Sequence, residues 1–260
     1  MIFLNKKFNI DYNLVFGFGD KRIDFQTKNI ERRFDLLKEI KLNYYIKNEN
    51  DVNIAELNQV HGNTVLSIEK QDVEKFFGKK EIYDADGIFT SSKDYLLCIK
   101  TADCIPLLFY DKTSGTVGAV HCGWRGTYNG ILINAKNMLA GYYNLNLENI
   151  IAVIGPGICK NCYTVKKDLY EKFINKNISY KNYFKARQTN TKNYNYMSEG
   201  FEEYLFDLKG AIADILLTLG FRKENIYNIN LCNYENENYF SYRKNKTDSR
   251  FVSFIGKLLI

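Results

Sequence analysis

Leu107-Leu108-Phe109-Tyr110, then Asp111-Lys112-Thr113-Ser114-Gly115, then Thr116-Val117-Gly118-Ala119-Val120-His121 is the stretch that decides the fold. Two apolar runs rich in β-branched and aromatic residues flank a short polar segment suited to a turn. The spacing predicts a β-hairpin that returns the chain alongside itself. Runs this continuously apolar indicate strands buried on both faces. Thr64–Ile68, Gly87–Thr90 and Leu96–Ile99 upstream have the same character, and Pro106 is expected to end or bend a strand. Ile150–Ile154, Asn225–Leu231 and Phe251–Leu259 are the later strands.

Helical periodicity appears at Lys28–Lys41, with Ile30, Phe34, Leu37 and Ile40 on one face. It returns at Tyr128–Gly141, where Ile131, Ile133, Ala135, Met138 and Leu139 would pack on the sheet, and again at Val165–Ile174 and Glu202–Leu219. Asn175–Ser198, crowded with Asn, Lys and Tyr, reads as a loop. The order of elements predicts an α+β (mixed α/β) fold, a single domain over 1–260 with mixed β-sheets flanked by helices. Only two prolines and no Ser/Gly-rich linker interrupt it.

The chain is 260 residues long with a net charge of +6, and its lysines are spread rather than gathered in one aromatic-interleaved stretch. That pattern supports no nucleic-acid partner, while a mild positive balance suits an anionic small substrate such as phosphate. The N-terminus lacks a long apolar h-region, and no stretch approaches the ~20 apolar residues that cross a bilayer. A cytoplasmic protein without membrane partners is expected, of undetermined oligomeric state. Six cysteines in so long a chain without a signal peptide are free thiols or metal ligands rather than a disulfide framework.

Only two histidines occur, His61 in Gln59-Val60-His61-Gly62 and His121 in His121-Cys122-Gly123-Trp124-Arg125-Gly126. Cys104 lies between them in Thr101-Ala102-Asp103-Cys104-Ile105-Pro106, and the hairpin places Cys104 and His121 at neighbouring strand ends. Gly62 is expected to supply the backbone freedom that swings the His61 ring into a cleft. A His/Cys/His set suits a zinc ion that keeps one position open, where a bound water ionises near pH 7. The same residues permit two other readings: a metal-independent cysteine hydrolase with Cys104 as nucleophile and His121 as base, or a single-copper redox or metal-binding protein with Met138 or Met197 as axial ligand. Cys159-Lys160-Asn161-Cys162 is a lone C-x-x-C pair with no second pair to complete a metal site.

These runs, with Ala85-Asp86-Gly87, Gly155-Pro156-Gly157-Ile158 and Phe240-Ser241-Tyr242-Arg243, resemble the multicopper polyphenol oxidoreductase, or laccase-like, family, over nearly the whole chain and in order. Its members are mostly described as purine nucleoside phosphorylases with adenosine deaminase activity. The resemblance implies zinc on His61, Cys104 and His121, with purine nucleosides and phosphate as substrates. A multicopper centre needs several more imidazoles than two histidines provide. Asp103 or Asp86 is the expected proton carrier, although an aspartate at a strand end also caps turns or orients a ligating histidine. Arg125 and Arg243 are expected to hold phosphate, Gln59 to bond a purine edge, and Tyr242 or Trp124 to stack on the base. Arg33, in Arg32-Arg33-Phe34, is the nearest equivalent of an arginine that the family places in Asn-Arg-Arg. Phe16-Gly17-Phe18-Gly19-Asp20 departs from the family's Thr-Arg-x-Gly-Gly turn.

Overall fold

The computed structural model describes residues 2–3, 14–26, 31–43, 52–69, 83–93, 95–187 and 203–258. In chain order its first strands are β1 (Ile2–Phe3), β2 (Leu14–Phe18), β3 (Asn53–Ala55), β4 (Val65–Ser67), β5 (Gly87–Thr90), β6 (Tyr95–Thr101), β7 (Ile105–Asp111) and β8 (Val117–Cys122). They are followed by β9 (Ile150–Ile154), β10 (Thr164–Lys166), β11 (Phe184–Arg187), β12 (Glu203–Phe206), β13 (Ile226–Asn228) and β14 (Phe251–Lys257). The α-helices are α1 (Glu31–Asn43), α2 (Trp124–Asn129), α3 (Ile131–Lys136), α4 (Lys167–Lys176), α5 (Leu208–Thr218) and α6 (Tyr242–Asn245).

The predicted hairpin is the centre of the molecule. β7 and β8 pair antiparallel from Ile105↔Cys122 to Tyr110↔Val117, inside a six-stranded sheet ordered β13-β9-β7-β8-β5-β4. A five-stranded sheet, β1-β2-β14-β6-β3, covers one face, so that Leu108, Tyr110, Val117 and Ala119 share a core with Phe16, Phe18, Leu97 and Ile255. Leu107, Phe109 and Val120 point the other way, into a core with α3, α5 and the three-stranded sheet β10-β12-β11. Burial on both sides is the reason these strands carry no polar alternation. Each fully buried aliphatic or aromatic side chain contributes roughly 1.5–3 kcal/mol. Beyond the five-stranded sheet, α1 packs Leu36, Leu37 and Ile40 on Val15, Leu96 and Phe254. The fold is α+β, and among the described residues no helix is long and apolar enough to cross a membrane.

Several local expectations are corrected. Phe34 is 61% exposed and Leu36 takes its place in the core, while Ile30 lies outside the described residues. Ile133 also faces outward. Glu202–Leu219 is not one helix: β12 pairs with β10 and β11 first, and Asp207 then caps α5 by accepting from the Gly210 amide. Val165 belongs to β10, with α4 starting at Lys167. The expected loop Asn175–Ser198 contains a 3₁₀ turn at Ile178–Tyr183 and β11, and its remainder from 188 lies outside the described residues. Pro106 neither ends nor starts a strand but is the second residue of β7, opposite His121, and its carbonyl accepts from the Gly155 amide.

Candidate functional site

His61, Cys104 and His121 come together, their nitrogen and sulfur ligand atoms all within 4.8 Å of one another. The β7–β8 hairpin supplies two of them, since Cys104 immediately precedes β7 and His121 is the penultimate residue of β8. His61 arrives on the loop between β3 and β4. That residue, not Gly62, takes the left-handed backbone (φ 58°), which turns its ring toward His121 with the centroids 4.9 Å apart.

Asp86 organises this loop. Its carboxylate, 0% exposed, accepts from the amides of Val60 (3.2 Å), His61 (3.0 Å) and Gly62 (2.6 Å). Three successive amides around one anion form a nest that stabilises the unusual His61 backbone. The same carboxylate stands 2.7 Å from His121 Nδ1, leaving Nε2 as the ring nitrogen that faces Cys104. Burial disfavours the Asp86 charge, but the His121 and amide hydrogen bonds outweigh it and hold the carboxyl below its ordinary value.

Cys104 and His121 perturb each other. Burial alone would raise the Cys104 thiol, yet the neighbouring His121 charge, with hydrogen bonds from both imidazoles, brings it well below an ordinary thiol. Burial alone would lower His121, and the Cys104 and Asp86 charges drive it upward instead. Without a cation each of the two favours the charged form of the other. The packing nearby is tight: a Cβ on Gly123 would crowd Cys104 Sγ at 3.1 Å and His61 Cδ2 at 3.2 Å, and one on Gly126 is excluded because it would meet the Gly62 carbonyl at 2.7 Å.

The three residues open into a cleft of about 770 Å³. Its lining includes the expected Gln59, Asp103, Arg125, Tyr242 and Arg243, and also Lys100, Lys246 and Arg250, which the sequence reading missed. Trp124, Ile158, Tyr163 and Leu208 add apolar wall. Arg125 lies over the Trp124 ring at 4.6 Å and Arg243 over Tyr163 at 5.3 Å, both positions that keep a guanidinium ordered. Tyr242 is 47% exposed at the cleft.

Three of the expected residues have partners within the protein. Arg33 does not line the cleft; its Nε pairs with Glu56 at 2.5 Å, and the second Glu56 oxygen takes the cleft residue Lys100 at 3.4 Å. Gln59 bonds Lys100 with both ends of its amide, donating to the carbonyl and accepting from the amide at 2.8 Å each, which pins the His61 loop to β6. Asp103, held at φ 98°, accepts from Asn233 (2.9 Å), Ser241 (2.7 Å) and the Arg243 amide (2.6 Å). A carboxylate so engaged positions the Arg243 turn. Met138 packs in the core with α3 and is not in the cleft lining, and Met197 lies outside the described residues.

The chain belongs to the multi-copper polyphenol oxidoreductase laccase family, whose model matches residues 16–257. It is 34% identical over 128 residues to a purine nucleoside phosphorylase, RC0672, of Rickettsia conorii, a match spanning 49% of each chain. It is 32% identical over 203 residues to purine nucleoside phosphorylase SACOL1200 of Staphylococcus aureus, spanning 76% of this chain and 71% of that one. The crystal structure of the Bacillus licheniformis hypothetical protein YfiH superposes with a TM-score of 0.76 at 24% identity, covering 94% of this chain and 92% of that one. YlmD from Geobacillus stearothermophilus gives 0.75 at 23%, covering 95% and 93%. Both structures share the fold.

Proposed function

We propose that the protein is a zinc-dependent purine nucleoside enzyme. It cleaves adenosine, inosine and methylthioadenosine with phosphate, giving free base and ribose 1-phosphate, or for methylthioadenosine its methylthio analogue, and deaminates adenosine to inosine. The observation that carries this reading is the meeting of His61, Cys104 and His121 in a cleft whose other charged residues are mainly cationic. Two nitrogens and a sulfur make a borderline-soft donor set that fits zinc with one position open. Zinc there supplies Lewis acidity and a water that ionises near neutral pH.

The chain's own residues do the rest. Asp86 fixes the tautomer and direction of His121. Arg125, Arg243 and Lys100 hold phosphate beside the ribose, where a phosphate oxygen bonds to C1′ as the C1′–N9 bond breaks and its electron pair leaves on the purine. Trp124 and Tyr242 flank the base. The relatives named purine nucleoside phosphorylase support the phosphorolytic half. Action on small molecules in the cytoplasm, without nucleic acid or membrane, completes the proposal.

Metal analysis of protein purified without added metal, with chromatography of adenosine and inosine incubated with and without phosphate, tests it. Zinc and phosphate-dependent release of base are expected. A folded Cys104→Ala protein that loses no zinc and keeps full turnover sinks the ligand assignment. One observation favours a second reading: Asp86 stands 2.7 Å from His121 Nδ1 and Cys104 Sγ lies within 4.8 Å of the His121 ligand nitrogen, the order of groups in a cysteine hydrolase. Hydrolysis by metal-free protein, abolished by alkylation of Cys104, would select it.

A further inference from the structure

The lone C-x-x-C pair acquires a partner in space. In Cys159-Lys160-Asn161-Cys162 the amides of Cys162 and Tyr163 both donate to the Cys159 carbonyl at 3.0 Å, closing a tight turn. Far along the chain, Cys232-Asn233-Tyr234-Glu235 makes a similar turn, with the Asn236 amide on the Cys232 carbonyl at 3.1 Å. A parallel bridge between Gly157 and Cys232 sets the two turns side by side. The Cys159 amide donates to Cys232 Sγ at 3.3 Å, and Cys162 Sγ donates to Glu235 at 3.4 Å. The three sulfurs and the carboxylate oxygen all lie within 4.8 Å of one another, and all three cysteines are free thiols.

We infer that Cys159, Cys162, Cys232 and Glu235 hold a second zinc ion, a closed four-ligand structural site separate from the cleft. Three thiolates and a carboxylate select zinc among common divalent ions, and a tetrahedral site with Zn–S bonds of about 2.3 Å places its ligands roughly 3.8 Å apart. Only a small inward movement separates that from the observed cluster. None of the four lines the cleft, and four protein ligands leave no position for substrate. An amide bonded to Cys232 Sγ is the usual support for a metal-bound thiolate. Three thiolates, a carboxylate and Zn²⁺ sum to −2, and Lys209 answers part of that charge: 7% exposed, it bonds the Ile229 and Leu231 carbonyls just before Cys232.

The site staples residues 155–163 to residues 229–243. Asn233 stands between the two ligands of the second turn, and its Nδ2 bonds Asp103, the neighbour of Cys104. The second ion thereby braces the wall that carries Arg243 and Tyr163. This inference does not rest on the proposed activity.

Zinc content of purified wild-type, Cys104→Ala and Cys159→Ser/Cys162→Ser proteins tests it. Wild type should carry one zinc more than the double variant, and Cys104→Ala should keep a zinc that the double variant lacks. Loaded with Co²⁺ instead, Cys104→Ala should show intense sulfur-to-cobalt charge-transfer absorption. If the double variant does not fold, Glu235→Ala in the Cys104→Ala background should weaken zinc about 10-fold or more in a chelator competition. Folded Cys104→Ala that binds neither ion, unchanged affinity on removing Glu235, or a Cys159–Cys162 disulfide in freshly purified protein would each overturn the inference. Zinc retained in full by Cys104→Ala would instead count against the first site alone.

Discussion

Asp86 Oδ1 stands 2.7 Å from His121 Nδ1 while the same carboxylate gathers the amides of residues 60, 61 and 62. One buried anion therefore sets the ring of one imidazole and the backbone of the other. Asp86→Asn keeps the volume but loses the charge that all four donors face. Zinc affinity should fall about 10–100-fold, and stability by roughly 2–4 kcal/mol through weakened hydrogen bonds to a formerly charged acceptor. Chelator competition and thermal unfolding measure the two; an unchanged zinc affinity would show that Asp86 does not orient His121.

Removing the metal should expose an unusually reactive thiol. Burial raises the Cys104 pKa, but the His121 charge and the two imidazole hydrogen bonds bring it down to about 6. A lowered thiol pKa puts the thiolate in the majority at neutral pH, so iodoacetamide should alkylate Cys104 of chelator-treated protein nearly as fast at pH 7 as at pH 8.5. His121→Gln should move that profile upward, and zinc should protect the sulfur. A rate that climbs through pH 8.5 like an ordinary thiol would refute the ion pair.

Arg125, stacked on Trp124 at the cleft, is expected to act on the phosphate rather than the nucleoside. Arg125→Ala should raise KM for phosphate about 10–100-fold, the equivalent of one charge-assisted contact. KM for inosine should change far less. Equal effects on both substrates in initial-rate kinetics would move Arg125 out of the phosphate subsite.

Gly126 admits no side chain, because a Cβ would meet the Gly62 carbonyl at 2.7 Å. Gly126→Ala must push the His61 loop away from α2. A loss of about 1–3 kcal/mol is expected from overpacking, together with weaker zinc binding. Wild-type metal affinity in this variant would mean that the loop moves without carrying His61.

The hairpin was legible because Leu107–Tyr110 and Thr116–Val120 are apolar without interruption and the turn between them is short. β12 was not, because Glu203–Phe206 runs straight into α5 and only the Asp207 cap marks the change. Local periodicity cannot separate a short strand from a first helical turn. The His/Cys/His set was readable from scarcity and motif, whereas Lys100, Lys246 and Arg250 vanish among 36 Lys and Arg residues. The motif points Arg33 toward substrate, whereas its pairing with Glu56 depends on a contact 23 residues away that no local pattern encodes. The same reason hid Cys232 and Glu235, 73 residues from their partners.

Because β7 is flanked by β8 and β9 and buried on both faces, the strands beside Cys104 and His121 can separate only when both adjoining cores open. The His61 loop is exposed at Val60 and His61, and it can open without parting the hairpin once its bonds to Asp86 and Lys100 break. Amides of the hairpin should therefore be among the last to exchange with deuterated solvent, and the off-rate of an ion held by all three residues should follow the opening of one surface loop rather than unfolding of the protein.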